Sequence, residues 1–312
     1  MIAFGPVPSR RLGYSLGINH IPPKHCTYSC VYCQVGRTTS LEINRRQFYP
    51  LTEIIDDVGQ AIFKAREHGQ TIEFLTLVPD GEPTLELQLG ELIEALKQFE
   101  TPIAVISNAS LIDHLDVQDA LLQADWVSLK VDVVEEVAWQ RINRPHGQLS
   151  LPAILNGMLS FRSRYHGELV TETMLISRIN DNEIAIKALS NFLLELQPFR
   201  SYLSIPTRPP AEPWVKPPEA GSLQQVLSVF AVKCPFSDLL FAFEEDDFAS
   251  TGDLVEDILA ITAVHPLRKS ALRKMISQAG GDWNIVESLI ISGQLACITY
   301  RDEIYYLRGD RK

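Results

Sequence analysis

Three cysteines lie within eight residues near the start of the chain, at Cys26, Cys30 and Cys33. Three residues separate the first pair and two separate the second. A thiolate is a soft ligand that suits iron–sulfur clusters and zinc. A cubane cluster that only transfers electrons normally takes four cysteines, so three thiolates leave one iron open. The motif therefore indicates a metal centre, and the missing fourth cysteine indicates catalysis.

Two other uses of these thiols are weighed against the cluster. A structural zinc site prefers four ligands in separated pairs, and His25 would be a cramped fourth ligand beside Cys26. A disulfide is disfavoured because the chain has five cysteines and no apolar signal segment at its start. We therefore expect a reducing, cytoplasmic location. The isolated Cys234 and Cys297 are expected to be buried, inert thiols.

A second motif follows a predicted strand, at residues 80–84, Asp-Gly-Glu-Pro-Thr. The Glu82 carboxylate could accept charge-assisted hydrogen bonds from an ammonium group. The alternative is an ordinary surface turn, because Asp, Gly and Pro are turn residues. The next predicted strand ends at Ser107 and Asn108, polar side chains that suit ribose hydroxyls or, alternatively, cap a helix.

The strand predicted over 126–132 alternates apolar and polar side chains. Its apolar face carries Val127, Leu129 and Val131, and its polar face carries Ser128, Lys130 and Asp132. In a barrel with helices outside, the polar face points inward. A buried lysine is costly unless it is paired or functional. Lys130 is therefore predicted to bind a substrate acid, to form a Schiff base through a lowered pKa, or to pair structurally with Asp132.

Strands and helices alternate along most of the chain. Strands are predicted over 15–19, 72–78, 103–107, 126–132, 169–176, 202–205 and 239–243. Helices are predicted over 51–68, 87–98, 116–123, 150–164, 183–196 and 221–232. About six β–α units in series predict an α/β fold with a parallel sheet. Periodicity alone leaves a partial barrel and a doubly wound open sheet as alternatives.

The remaining segments predict a loop and a small second domain. Residues 206–220 are rich in proline and predict a loop that closes over a site or an extended connector. Residues 250–252 mark a boundary between domains 1–248 and 249–312. Beyond it, helices over 253–263, 266–277 and 282–291 precede a hairpin over 295–307, an order that resembles a winged helix. The last helix lacks Arg and Lys, which argues against DNA binding and favours docking on the main domain or on a protein partner.

Charge and hydropathy limit the function further. The net charge is −11, and residues 250–312 carry eight basic and eight acidic side chains, so the acidic excess lies in residues 1–249. Nucleic-acid binders usually present a basic face. No apolar run approaches the roughly 20 residues of a membrane span. A local basic patch could hold an anionic small substrate or RNA, or be merely solvated: Arg10, Arg11, Lys24, Arg37, Arg45 and Arg46.

The two motifs together resemble a known superfamily. The cysteine spacing, with Tyr32 before the last cysteine, resembles the signature of the radical S-adenosylmethionine (SAM) superfamily. Residues 80–84 are similar to its Gly-Gly-Glu-Pro segment, with Asp80 replacing the first glycine. Segments 5–19, 141–146 and 207–210 look like the branch related to wyosine-synthesising tRNA enzymes. Those enzymes carry a second cluster on upstream cysteines, and none of the 25 residues before the motif is Cys.

The resemblance implies a partial (β/α)6-type barrel, followed by the winged-helix-like domain. It implies a [4Fe–4S] cluster on the three cysteines, with the amino and carboxylate groups of SAM on the open iron, and radical cleavage of SAM. The resemblance implies that segment 80–84 binds the amino group of SAM. Together with the strand-end and inward-facing residues above, the candidate cofactor-binding residues are Tyr32, Gly81, Glu82, Pro83, Ser107, Asn108, Lys130 and Asp132. Lys130 is also the candidate catalytic residue.

The partners implied are an external electron donor of flavodoxin or ferredoxin type and an unidentified substrate. A tRNA base is the alternative substrate class. The non-enzymatic alternative is a zinc-stabilised interaction protein built around the winged helix.

Overall fold

The computed structural model describes residues 2–240 and 253–309, and one large sheet dominates it. The sheet has eight strands in the order β1-β2-β5-β6-β7-β8-β9-β10, and the short strands β3 and β4 pair separately. The strands are β1 (Ala3–Ser9), β2 (Gly13–Ile18), β3 (His25–Cys26), β4 (Ser40–Leu41), β5 (Phe74–Leu77), β6 (Ile103–Ser107), β7 (Trp126–Lys130), β8 (Glu168–Met174), β9 (Arg200–Ser204) and β10 (Ser237–Leu240).

Helices connect the successive parallel strands. They are α1 (Leu51–Glu67), α2 (Leu89–Leu96), α3 (Leu115–Leu121), α4 (Glu136–Ile142), α5 (Leu151–Arg164), α6 (Glu183–Leu196) and α7 (Ala220–Lys233). Short 3-10 turns lie at Pro83–Leu85 and Lys97–Phe99. α5 begins at an N-cap serine, and α6 begins at an N-cap asparagine, whose side chains accept hydrogen bonds from the first turn.

The sheet is a partial barrel. Only β1 runs antiparallel to its neighbour, and from β2 to β10 each strand lies parallel to the next one along the sheet. This sequential order contradicts a doubly wound sheet, whose strand order reverses. The two ends of the sheet approach one another: the Arg10 guanidinium, in the β1–β2 turn, donates to the carbonyl of Leu240 in β10 at 2.6 Å. Within the described residues β10 and β1 do not pair, so the barrel is open there.

The two faces of the sheet bury different sets of side chains. The outer face meets the helices in the main core, which includes Leu75, Val105, Val127, Leu129 and Val131. The lower part of the concave face holds a second apolar cluster of Leu12, Ala104, Trp126, Val170, Tyr202 and Leu240. The predicted division of the strand over 126–132 into an outward apolar face and an inward polar face is therefore confirmed.

Several elements differ from the sequence-based expectations. β1 was not predicted because Pro6 and Pro8 interrupt its pattern, but proline is tolerated on an edge strand. The short helix α4 was also missed. Strand β10 starts at Ser237, two residues earlier than the predicted start at 239. Its predicted end at 241–243, the boundary at 250–252 and the domain limits at 248 and 249 lie outside the described residues.

The C-terminal part forms a separate small core. It contains α8 (Leu254–Val264), β11 (Leu267–Arg268), α9 (Lys269–Gln278), α10 (Asn284–Ile291), β12 (Leu295–Tyr300) and β13 (Glu303–Arg308). Its strands form an antiparallel sheet in the order β11-β13-β12. Val7 of β1 packs against this core. The winged-helix assignment stays a prediction. In the described ranges, no helix has both the length and the apolar character needed to cross a membrane.

Two mid-helix glycines give opposite predictions for the same substitution. A Cβ on Gly157 in α5 would lie 2.7 Å from the backbone nitrogen of Asp113, whereas one on Gly59 in α1 would meet only the Phe99 ring at 3.6 Å. Gly157→Ala should therefore destabilise the protein by about 1–3 kcal/mol through overpacking. Gly59→Ala should stabilise it by about 0.5–1 kcal/mol through reduced backbone entropy. Urea unfolding measures both, and a stabilising Gly157→Ala would contradict the close packing of α5.

Candidate active site

The cysteines lie on a long loop that other segments hold in place. This loop, residues 19–50, is called the cysteine loop, and β3 and β4 are its only regular pair. Its backbone is bonded from outside: the Glu82 amide donates to the carbonyl of His25 at 3.1 Å, and the Val31 amide donates to the carbonyl of Ile142 at 2.9 Å. The loop conformation therefore depends on segments 80–84 and 142–146.

Segment 80–84 approaches the cysteine loop so closely that one position must be glycine. A Cβ on Gly81 would lie 1.9 Å from the carbonyl oxygen of His25, the residue before Cys26. The adjacent Pro83 lies in a buried 3-10 turn, and its carbonyl contacts the His20 ring at 3.4 Å. The structure thus brings the two predicted motifs together at the carboxyl ends of β2 and β5.

The Glu82 carboxylate is a buried hub with four donors. Its Oε1 accepts from the Thr84 amide at 3.1 Å, from the Thr84 hydroxyl at 2.7 Å and from the Ser107 hydroxyl at 2.6 Å. Its Oε2 accepts from the Asn108 amide at 2.8 Å. Burial raises the pKa of Glu82 although these donors act to lower it. The predicted cofactor residues Glu82, Ser107 and Asn108 therefore meet, and they do so by bonding one another.

Side-chain amides contact two of the three sulfurs. The Nδ2 of Asn108 lies 3.5 Å from the Sγ of Cys26 and donates to the Thr27 hydroxyl at 2.8 Å. The Nδ2 of Asn143 lies 3.5 Å from the Sγ of Cys30. N–H groups aimed at sulfur stabilise a thiolate and tune a metal bound to it.

Asp132 is a second buried carboxylate at the site. It accepts from the Asn143 side chain at 2.8 Å, from the Tyr32 hydroxyl and from the Met174 amide at 2.8 Å. The predicted cofactor residues Tyr32 and Asp132 are thus neighbours. Their hydrogen bond ties the cysteine loop to the end of β7.

The raised pKa values of two thiols indicate that these thiols would ionise only beside a positive charge. Burial, Glu82 and Cys30 raise the pKa of Cys26 well above its usual range. Burial and Asp132 raise the pKa of Cys30 to about 12. Thiolates at such positions become favourable only when a cation binds, as in a metal centre. Three features fit an iron–sulfur cluster: the soft sulfur ligands, the N–H groups that face them, and the nearby carboxylates that a cationic centre would offset.

No three His, Cys, Asp or Glu side chains in the described ranges surround a position for a single metal ion. A cubane cluster takes its thiolates on different irons, so its ligands do not meet at one point.

Lys130 is part of an inward-facing charge network. Its ammonium lies 3.1 Å from Glu172 Oε1 and 5.1 Å from the centre of the Tyr32 ring. Glu172 also pairs with Arg11, which enters the concave face from the β1–β2 turn. The predicted Lys130–Asp132 pair is therefore wrong: the partner is Glu172, directly across the β7–β8 register.

The pKa of Lys130 also contradicts a lowered value. Burial acts to lower it, but Glu172 and Asp132 outweigh burial and raise the pKa above its usual value. Lys130 is thus a stable cation, and the structure gives no support to a Schiff-base role that needs a lowered pKa. Its role toward a cofactor or a substrate acid stays a prediction.

The predicted basic patch is largely neutralised. Arg37 pairs with Glu212, Arg45 with Asp116 and Arg46 with Glu42, while Arg10 and Arg11 make the contacts described above. Paired guanidinium groups offer a weaker field to a polyanion than an unpaired patch would.

The two isolated cysteines differ from one another. Cys234 is buried, as expected, and its thiol lies 3.6 Å from the carbonyl of Ser190. Cys297 is exposed on β12, so the prediction that it is buried is wrong. It lies opposite Tyr306 on β12, an edge strand of the small sheet, where an apolar neighbourhood in sequence does not imply burial.

Sequence reasoning missed Asn143 and Glu172. Asn143 follows α4, which was not predicted, and the signal available for it was the segment 141–146 that resembles the family. Glu172 lies between two threonines in β8, and the residue opposite it in the sheet cannot be read from the sequence. A carboxylate on the inward face of a buried strand was the available signal.

Comparison with known proteins agrees with this geometry. Residues 21–187 match the family model of the radical SAM superfamily. A UPF0026 protein of Methanocaldococcus jannaschii is 44% identical over 310 residues, which cover 99% of this chain and 96% of that protein.

One solved structure shows a similar fold, and a second aligns more weakly. A radical SAM methyltransferase from Sphaerobacter thermophilus aligns with a TM-score of 0.58 and 14% identity over 73% of this chain and 66% of that chain. The structure of TYW1 with a lysine-pyruvate adduct bound aligns with a TM-score of 0.48 and 13% identity over 96% of this chain and 80% of that chain. The former supports the fold alone, and the latter says nothing of the substrate. The predicted superfamily resemblance is confirmed.

The charge network predicts a pH-dependent stability. Burial acts against ionisation of Glu172, but Lys130 and Arg11 outweigh it and hold its pKa below the ordinary 4.5. The stabilisation is therefore fully present above pH 4.5 and is lost as pH falls below it. Glu172→Gln should lower the free energy of unfolding by about 3 kcal/mol at pH 7, since it leaves two partly buried cations unpaired.

Urea unfolding of the metal-free protein at pH 7 and pH 3.5 checks this prediction. The loss caused by Glu172→Gln should be smaller at pH 3.5 than at pH 7. The matched control is Glu183→Gln, whose carboxylate pairs with Lys187 on an exposed helix face and should matter little. A loss independent of pH would contradict the ionised network.

Proposed function

Because this chain belongs to the radical SAM superfamily, we propose that it is an enzyme that holds a [4Fe–4S] cluster on Cys26, Cys30 and Cys33 and uses it to cleave SAM. When bound, such a cluster supplies an electron to SAM and starts radical chemistry on a substrate. The observation that carries the proposal is the convergence of the three-cysteine loop with segment 80–84, fixed by the contact of Gly81 with His25.

The chain's own residues would hold the cluster and shield it. Asn108 and Asn143 direct N–H groups at the sulfurs of Cys26 and Cys30. Their role is to orient the thiolates and to offset the negative charge that Glu82 and Asp132 place beside them.

Glu82 is the proposed acceptor for the amino group of SAM. Its Oε1 already accepts three hydrogen bonds, whereas Oε2 accepts one, from the Asn108 amide. An ionised carboxylate oxygen can accept a further donor. An ammonium group there would also favour ionisation of a carboxyl whose pKa burial raises.

The substrate is proposed to bind in the concave face, above its apolar floor. Lys130, Glu172 and Arg11 line this face with side chains that are 15–18% exposed. They offer both signs of charge to a polar substrate. An external one-electron donor of flavodoxin or ferredoxin type completes the proposed reaction.

Substrate identity needs an unbiased experiment. Metabolites and tRNA nucleosides from cells with and without this protein should be compared. A nucleoside that changes would favour the tRNA alternative, and a metabolite that changes while every nucleoside stays constant would contradict it. The paired state of the arginines makes a small polar substrate the expected result.

The first prediction of the proposal concerns the cluster. Anaerobically prepared protein should be brown and carry about four irons and four sulfides per chain. Cys33→Ala should abolish this content, because it removes a ligand. Cys234→Ala is the matched control and should retain it, because that thiol is buried between helices α6 and α7. Iron, sulfide and zinc analyses provide the measurement, and a colourless, zinc-loaded chain would establish the zinc-stabilised alternative instead.

The second prediction concerns SAM. With a strong reductant, the loaded protein should release 5′-deoxyadenosine slowly without substrate. Glu82→Gln should weaken SAM binding by about tenfold to a hundredfold, since it replaces a charged acceptor, and should leave the iron content unchanged. Glu91→Gln, on the exposed side of α2, is the control. Equal SAM affinity in calorimetry of wild type and Glu82→Gln would remove Glu82 from the SAM site.

A further inference from the structure

The proline-rich segment between β9 and α7 is an ordered loop. Residues 206–218, called the Pro-rich loop, contain six prolines in thirteen residues, which restrict the backbone before any contact forms. Two backbone bonds fix the loop: the Glu212 amide donates to the carbonyl of Val31 at 3.0 Å, and the Ser177 amide donates to the carbonyl of Lys216 at 3.0 Å. Val31 lies between the second and third cysteines, so the loop touches the centre of the motif.

Glu212 is the main side-chain contact of this loop with the site. Its carboxylate is 6% exposed and binds two guanidinium groups. Arg37, four residues after Cys33, lies 3.0 Å from Oε1, and Arg144 donates to the same oxygen at 2.5 Å. Burial acts against ionisation of Glu212, but the two arginines outweigh it and lower the pKa.

Arg144 connects Glu212 to a sulfur contact. Its backbone adopts a positive φ of 45°, a conformation that a non-glycine residue keeps only under restraint. The preceding residue, Asn143, places its amide 3.5 Å from the Sγ of Cys30. The Asn143 carbonyl also accepts from the Ser29 amide at 3.0 Å. A side chain that fixes Arg144 therefore also fixes the N–H group that faces Cys30.

The other end of the Pro-rich loop is held by the C-terminal hairpin. The Tyr300 hydroxyl donates to the carbonyl of Pro206 at 3.1 Å, and the Tyr305 hydroxyl donates to the carbonyl of Thr207 at 2.9 Å. The next residue, Arg208, donates to the Gln34 side chain, just after Cys33, at 2.6 Å. The loop thus lies between the C-terminal hairpin and the cysteine loop.

We propose that Glu212 is a positioning residue for the metal centre, and that the C-terminal hairpin serves to seat the loop that carries it. Through Arg37 and Arg144, Glu212 holds the end of the cysteine loop's motif and the neighbouring segment 142–146 in the arrangement that aims Asn143 at Cys30. This inference rests on the proposed cluster. It assigns the C-terminal part of the chain a function in the site itself.

The test compares Glu212→Gln with Glu219→Gln in the full chain. Glu219 carries an exposed carboxylate, 3.6 Å from Arg178, just after the same loop. The Glu212→Gln variant should bind the cluster, but its cluster should bleach in air about tenfold faster. The substitution removes the charge that holds Arg37 and Arg144, and so loosens the end of the motif and segment 142–146. The midpoint potential of the cluster should become more negative, because an N–H group no longer faces the sulfur. Glu219→Gln should match wild type in both respects.

A midpoint potential equal to wild type in Glu212→Gln would overturn the inference, whatever the bleaching rate. If that variant fails to fold, Glu212→Asp keeps the charge and should show an intermediate bleaching rate and potential, and wild-type values there would overturn it equally. If the wild-type protein binds iron and neither Glu212→Gln nor Glu212→Asp changes the bleaching rate or the midpoint potential, only this inference is refuted. A wild-type chain that binds no iron refutes the proposed function.

The hairpin is tested separately and without the cluster. The Tyr300→Phe/Tyr305→Phe variant removes both hydroxyls and keeps the rings. Hydrogen exchange in the metal-free protein should then accelerate at the amides of Val31 and Glu212. Tyr306→Phe, on the opposite face of the same strand, is the control. Unchanged exchange in the double variant would overturn the role assigned to the hairpin.

Discussion

The site depends on two buried carboxylates that lie beside two half-buried thiols. Glu82 raises the pKa of Cys26, and Asp132 raises that of Cys30. Each carboxylate collects donors from the ends of neighbouring strands, which is why the loops after β5, β6 and β7 take one arrangement. Burial and these carboxylates keep the two thiols protonated at neutral pH, because both raise the pKa values of Cys26 and Cys30. The thiolates become favourable when a cation lies beside them, so ionisation of the thiols is coupled to the binding of a positively charged centre.

The parts of this structure that the sequence predicted are those encoded in short stretches. Helix α6 was predicted with its observed bounds, because its apolar period and its N-cap Asn182 lie within one segment. Strand β6 was predicted equally well. The cysteine motif and Glu82 were identified because their spacing is local. Glu172 was missed because its partner is Lys130, which lies 42 residues earlier in the chain. The two side chains become neighbours only through the β7–β8 register of the folded sheet.

The concave face combines an apolar floor with a charged upper layer. Trp126 lies in the floor four residues before Lys130 on β7, and Val170 lies there two residues before Glu172 on β8. Arg11 spans both layers, because its guanidinium lies over the Trp126 ring and reaches Glu172. Ion pairs in such a setting fix side-chain orientation more than they add stability. The face is therefore rigid and polar where a substrate would contact it.

The hydrogen bond from Arg10 to the carbonyl of Leu240 joins residues 230 positions apart. Contacts of such separation form late, since the chain must close a long loop before they contribute. During synthesis the N-terminal hairpin and the three cysteines leave the ribosome well before β10 exists. The order of the chain thus leaves an interval in which the thiols of the proposed cluster are accessible before β10 and its contact with Arg10 have formed.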